Sequence, residues 1–325
     1  MFESAELGSK LSREVYEARV PALRVDLINA QYDLRDAGFA VVILVAGDDR
    51  IAANEVLDLL NEWMDARFLD TRVFLKRSTG EQERPRFWRY WRELPAHGRT
   101  GVFLGGWAMN TIAGYLGGHF KKVKFADRIG HDRTFEEGLS KNGTLILKFW
   151  LHLPRPEMKK RLKKLDKREE ASWRFQPSDR ELYKDYEKFM SLGGHYISET
   201  DTAHARWHII ESTDKRYRNC TLASQVLDAI EQRLAAAAVS PDAAATAGVA
   251  DILASVDLDR TIEYDAYKQR LAQLQDKLSR YSLQARQAGL SSVLMFEGWD
   301  AAGKGGVIRR ITRSMAARDY RVIPI

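Results

Sequence analysis

A single cysteine, Cys220, stands among 325 residues, so no disulfide can close within the chain and no cysteine-based metal cluster can be built. That scarcity fits a reducing, cytoplasmic setting. Long apolar runs are also missing: the longest, FAVVILVA at 39–46, has eight residues. A membrane-spanning helix needs about 20, so this run is expected to be a buried strand, and no membrane partner is expected. The opening stretch MFESAELGSKLSREVYEARV lacks the apolar core of a secretory signal. The seven histidines show no metal-ligand spacing. His204 and His208 are four apart, but a strand is expected there and no third ligand lies near. No nucleic-acid-binding module accompanies the basic stretches, so nucleic acid is not an expected partner.

The residues present describe a soluble chain with 45% hydrophobic and 30% charged residues, long enough for about two domains. The formal net charge of +6 favours an anionic partner. Nucleotides, polyphosphate, nucleic acid and acidic lipid all meet that description, and charge alone does not choose among them.

The chain repeats itself. An offset of 251 residues carries VVILVAGDDRIAANEVLDLL (41–60) onto SVLMFEGWDAAGKGGVIRRI (292–311), with Gly47 over Gly298 and Asp49 over Asp300. The same frame sets Tyr16 on Tyr267, Leu23 on Leu274, Leu27 on Leu278, Val42 on Val293 and Val56 on Val307. One order of helix, strand, glycine turn and helix is kept throughout, which indicates a duplicated unit. Each unit opens with an amphipathic helix (Leu271, Leu274, Leu278 and Tyr281 in the second) that Gly38 or Gly289 stops. Short strands are expected at 40–45 and 292–296, and again at 72–75 and 321–325, giving a strand–helix–strand unit of a parallel sheet.

Further strands are expected at 100–106, 143–153 and 206–212, with helices at 135–139, 155–167, 178–192 and 217–234. The alternation predicts an α/β fold, a doubly wound parallel sheet, over residues 1–235. An Ala-rich linker follows at 236–250. Residues 251–325 then form the beginning of a second copy, expected to be truncated, so that the chain reads as a fragment of a longer protein.

GWDAAGKGG (298–306) places Gly298, Gly303 and Lys304 at G-x4-G-K spacing between an expected strand and an expected helix, which is the context of a P-loop. Small residues let the backbone turn its N–H groups toward phosphate, and the helix N-terminus adds partial positive charge. Gly305 and Gly306 continue the open turn, and Lys304 supplies a cation for the phosphoryl group in transit. Gly305 stands where a hydroxyl residue commonly holds Mg²⁺, leaving Asp300 as the candidate metal holder. In the first copy Ala52 and Ala53 replace Gly303 and Lys304, and Asp48 is expected to turn a negative charge toward any phosphate. That copy is expected to be structural or regulatory.

FEGWDAAGKGGVIRRI (296–311) closely resembles the polyphosphate kinase 2 family, and the repeat resembles its tandem-domain members, the polyphosphate:AMP phosphotransferases. The resemblance extends through ERPRFWRYWRELPAHGRTGVF (83–103), SWRFQPSD (172–179) and TDTAHARWHIIESTDKRYRN (200–219). It implies a P-loop kinase-like fold with a helical lid. It also implies Mg²⁺-dependent transfer of a phosphoryl group from inorganic polyphosphate to AMP, giving ADP, with Asp300 and Lys304 catalytic. Family members carry a second aspartate in a string like FDRSWYNR. The corresponding FLGGWAMN (103–110) has Leu104 or Gly105 in that place, so the first copy departs from the pattern at both catalytic elements. The second copy's matching acid would lie beyond Ile325.

Related readings are a polyphosphate-dependent nucleoside diphosphate kinase, an ATP-dependent nucleotide kinase, or a non-catalytic scaffold. Little turnover is expected from these 325 residues alone, and self-association is left open. The basic stretch RPEMKKRLKKLDKR (155–168) is either a cationic lid for a polyanion or a solvated helix face. Phe87, Trp88, Tyr90 and Trp91 are expected to pack in the interior and not to stack on bases.

Overall fold

The run FAVVILVA becomes the central strand of a sheet, β1 (Val41–Gly47), with every residue buried. The computed structural model describes residues 2–74, 77–165, 184–239, 261–298, 302–315 and 322. They divide into two units, Met1–Ala243 and Ala244–Ile325. In the first unit β1 is flanked by β3 (Thr100–Leu104) and β4 (Leu145–His152), with β2 (Leu69–Val73) and β5 (Trp207–Glu211) at the edges. The order is β2-β3-β1-β4-β5 and every pairing is parallel. A parallel strand covered on both faces has no solvent side, which is why β1 is apolar without alternation.

Helices cover both faces. Val41, Ile43 and Val45 point to a core shared with Leu27 and Leu34 of α1 (Arg13–Leu34), Val56 and Leu60 of α2 (Arg50–Trp63), and Val226 of α9 (Lys215–Val239). Val42, Leu44 and Ala46 point the other way. There they join Trp107 of α5 (Gly106–Leu116), Phe135 of α6 (Lys122–Lys141) and Tyr196 of α8 (Tyr186–Thr200). Between these lie short α3 (Thr79–Gln82), short α4 (Trp88–Trp91) and α7 (Arg155–Leu165). Part of the aromatic cluster packs inward: Phe87 stacks on Phe135 at 4.5 Å and Tyr90 meets Trp107 edge-on at 5.5 Å, whereas Trp91 is exposed, against expectation.

The second core also holds a buried cation. Lys148 Nζ donates to Glu136 Oε2 and to the Thr200 carbonyl, both at 2.7 Å, beneath the Trp207 ring. Burial lowers the Lys148 pKa and raises that of Glu136, with each charge holding the other against this effect. Two elements exceed expectation. The helix foreseen at 135–139 is the end of the 20-residue α6, and α9 continues through part of the expected linker to Val239, since alanine is the best helix former.

The second unit contains α10 (Tyr264–Gln287) and α11 (Lys304–Thr312), joined by a hydrogen bond from Gln275 Nε2 to the Arg310 carbonyl at 2.8 Å. Gly289 has the same φ of 67° as Gly38, so both glycines end their helices in the left-handed region as expected. The strand expected at 292–296 does not form, and Val293 is 90% exposed. A strand exists through ladder hydrogen bonds to neighbours, and among the described residues of this unit there is no strand to supply them. The strand expected at 321–325 lies outside the described residues except for Val322, which is in no strand.

Candidate functional site: two glycine turns and a basic cavity

At the end of β1, Gly47 takes φ 130° and passes so close to β4 that a Cβ would lie 2.2 Å from the Leu151 carbonyl oxygen. The chain then winds into α2 at once. Asp49 caps it, accepting from Ala52 N at 3.0 Å. Ala52 and Ala53 are buried within the first turn of that helix. By sequence Ala53 matches Lys304, where α11 begins. In that frame the helix after the first turn starts earlier, at Arg50.

Asp48 does not face an incoming phosphate. This corrects the expectation: its carboxylate is turned inward and fully buried, accepting from Trp150 Nε1 and His152 Nδ1 at 3.1 Å and from Leu153 N at 2.8 Å. Burial raises the Asp48 pKa against the pull of His152. The other His152 nitrogen lies 2.9 Å from Glu6 Oε1. Burial disfavours charge on this ring, but the bond to Asp48 and then the charges of Asp48 and Glu6 outweigh it and raise the His152 pKa. A ring facing a carboxylate at each nitrogen is satisfied as the imidazolium, which donates twice.

The candidate lid helix α7 reaches the same turn. Arg161 Nη1 donates to Asp49 Oδ2 at 2.5 Å, and Ser212 Oγ donates to that oxygen at 2.6 Å. Asp49 thus spends one oxygen on the helix cap and the other on a guanidinium and a hydroxyl. The Asp49 carboxylate is also buried. Arg155 pairs with Glu187 and Lys160 with Glu157 on exposed surface, so the basic stretch is partly a solvated face and partly a clamp on the turn. Asp166, Lys167 and Arg168, and the string at 172–179, lie outside the described residues.

In the second unit Gly298 takes φ 154° and Gly303 φ 83°, the latter as the N-cap of α11. Lys304 Nζ donates to the Gly298 carbonyl oxygen at 2.5 Å, so its ammonium reaches back from the helix start to the opening glycine of the turn. Gly305 and Gly306 occupy the first turn of α11, where the first N–H groups of a helix have no intrahelical partner. Arg309 and Arg310 follow on the same helix. Asp300, the candidate metal and catalytic residue, lies outside the described residues. Among the described residues no group of three His, Cys, Asp or Glu side chains is placed to hold a metal ion.

A cavity of about 720 Å³ opens beside the first turn, at the carboxyl ends of β1, β3 and β2. Strand order reverses between β1 and β3, and such switch points are where open parallel sheets bind ligands. Arg50, Arg77, Arg86, Arg128 and His119 line it, and no carboxylate does among the described residues. Arg86 is held from behind by Asp132 at 2.5 Å and Thr111 at 2.6 Å. Burial pushes the Asp132 pKa up to about 7 against the pull of Arg86.

The model of the polyphosphate kinase 2 family matches residues 10–238 and 261–325. The chain belongs to that family. A polyphosphate:AMP phosphotransferase of Pseudomonas aeruginosa is 39% identical over the whole chain, which spans 67% of that relative's length. One from Pseudomonas syringae pv. tomato is 37% identical with the same coverage. A crystal structure described as a polyphosphate kinase 2 from Pseudomonas aeruginosa superposes with a TM-score of 0.77 at 37% identity; the match covers all of this chain and 65% of the other. The chain thus spans about two thirds of the length of these relatives.

Within this polyphosphate kinase 2 chain the structure brings Gly298, Gly303, Lys304, Gly305 and Gly306 to one turn, as their spacing predicts. It places Leu104 and Gly105 on the cavity wall, with Gly105 at φ 80°. The clamp of Arg161 and Ser212 on Asp49 was not legible in sequence, because its partners are 112 and 163 residues from Asp49. The arginines of the cavity were likewise missed, although Arg86 lies within the string at 83–103 that carries the resemblance.

Proposed function

We propose that the protein transfers the terminal phosphoryl group of inorganic polyphosphate to AMP, giving ADP and a chain one phosphate shorter. An oxygen of the AMP phosphate attacks the terminal phosphorus, and the bond to the next phosphate breaks. Lys304, the loop amides and the N-terminus of α11 bind and neutralise the group in transit. Mg²⁺, held through Asp300, would neutralise phosphate charge during transfer. The first unit is a duplicated copy acting as scaffold or regulator: Ala53 replaces the lysine, and Asp49 is taken up by Arg161 and Ser212.

The observation that carries this reading is the contrast at Lys304, whose ammonium folds over the turn at Gly298 while the matching position in the first unit is a buried alanine. Identity of 39% to a polyphosphate:AMP phosphotransferase, over this chain and 67% of that relative, supports the choice of donor and acceptor.

The test is ADP formation from AMP plus polyphosphate by the natural gene product that contains this chain, beside its Lys304→Ala variant. We expect turnover that falls about 100-fold or more on substitution. Equal turnover in the two would move the reaction away from this loop. ATP serving as donor where polyphosphate does not would reassign the donor. The 325 residues by themselves are expected to turn over slowly if at all.

A further inference from the structure

The lining of the first unit's cavity is chemically one-sided. Four arginines and a histidine face it and no carboxylate does, among the described residues. Among the described residues Arg86 forms an ion pair with Asp132, which sits behind it, while Glu81 and Asp132 attract Arg77 and Arg128 without an ion pair. Arg77 spends its donors on the backbone carbonyls of Glu81 and Arg84, and its Nε is buried with no acceptor. Arg128 forms no ion pair among the described residues and lies over the Phe120 ring at 4.1 Å. Its pKa is lowered, first by burial and next by repulsion from Arg86. Clustered guanidinium groups that repel one another are stabilised by an anion seated among them.

The rest of the wall is apolar and aromatic: Phe74, Tyr90, Phe120, Met109 and Leu104. A bare polyphosphate chain would leave that wall without a partner, whereas a flat base would cover it. Asn110 donates its amide N–H groups to Tyr90 Oη and the Gly106 carbonyl, and Gln82 donates to the Arg77 carbonyl, which leaves their amide oxygens to accept from the edge of a base. The volume of about 720 Å³ is that of a small-ligand site.

Leu104 and Gly105 on the wall carry no charge, and Asp49, buried at the first turn, is held by Arg161 and Ser212. An anion therefore meets cations directly, with no carboxylate to bring a metal between them.

We infer that the cavity of the first unit is a non-catalytic site for a nucleoside monophosphate, its phosphate held by Arg77, Arg86 and Arg128 and its base against the aromatic wall, bound without a metal ion. With Ala53 in place of a lysine, the site holds its ligand and does not phosphorylate it. The choice of AMP as probe rests on the proposed acceptor; the site itself rests on the cavity.

The experiment is equilibrium binding of AMP to the whole chain carrying Lys304→Ala, in EDTA, with adenosine and inorganic phosphate as separate arms. We expect AMP to bind, and each fragment to bind at least about tenfold more weakly. Arg128→Gln and Arg77→Gln on the same background, shown by circular dichroism to keep their fold, should each weaken AMP about tenfold or more. No AMP binding to the Lys304→Ala chain in EDTA, or unchanged affinity in both arginine variants, overturns the site. Phosphate binding as tightly as AMP overturns the nucleoside part. Retained AMP binding in a protein that forms no ADP would strike the proposed reaction and leave this site standing.

Discussion

Residues 41–47 and 292–298 are written in the same apolar pattern and end on the same glycine, yet their surroundings are opposite. Val42 is fully buried and Val293 is 90% exposed; Leu44 is fully buried and Met295 is 74% exposed. The helices before them differ in the same sense, with Leu23 6% and Leu274 50% exposed. Both glycines, Gly38 and Gly289, nonetheless share one φ value, and a helix starts after each turn. Helices and caps are therefore local decisions, made by contacts within a few residues. Strand and core are not: β1 is a strand because β3 and β4, some 60 and 100 residues later, give it ladders on both sides.

The comparison is broken most severely at the two turn glycines. Gly47→Ala sets a Cβ 2.2 Å from the Leu151 carbonyl oxygen at φ 130°, with backbone on both sides, and is expected to cost about 3 kcal/mol or more. Gly298→Ala meets, among the described residues, the Ala302 side chain at 3.5 Å and Lys304 Cδ at 4.0 Å, so its expected cost is backbone strain of about 1–2 kcal/mol. Thermal unfolding of both variants reads the difference, and equal losses would mean that the two turns carry equal strain.

A second contrast is in pH. The first turn carries the Asp48–His152–Glu6 chain, whereas the second has Trp299 at the position of Asp48. The His152 pKa is raised on folding, so its contribution to stability is fully present below the unfolded value of 6.5 and is lost as pH rises through the folded value. His152→Gln should flatten that loss, a slope of at most about 1.4 kcal/mol per pH unit. Denaturant unfolding between pH 5 and 9 checks it, and an unchanged slope in the variant would assign the pH response elsewhere.

The smallest effect tests the local likeness. Gly38→Ala and Gly289→Ala have open space at the Cβ and the same φ of 67°, so each should cost only the left-handed penalty of about 1 kcal/mol. Matching losses of helical stability, followed by circular dichroism, would uphold the equivalence of the two caps.

Much of the fold was legible because β1 is an unbroken apolar run, β4 is apolar but for Lys148 and His152, and the turns are marked by glycine. The glycine turn of the second unit was legible for a related reason: Gly298, Gly303 and Lys304 lie close in the chain, and the lysine reaches the opening glycine. Asp48 was misread because a carboxylate next to a glycine turn says nothing about which way it points. Its orientation is set by Trp150, His152 and Leu153, all on or just after β4. Arg128 gave no signal either, since its neighbours in the cavity come from four separate elements or loops.

By itself the sequence determined the order of strands in the first unit, the helix stops and the presence of a lysine at one of two glycine turns, since each depends on residues close together in the chain. Only the tertiary structure decided that the first turn is clamped through Arg161 and Ser212, that its acid is buried, and that a cavity lined by arginine without acid lies beside it. Charge, burial and hydrogen bonding at those places depend on which distant segments the sheet brings together, and that is settled by packing.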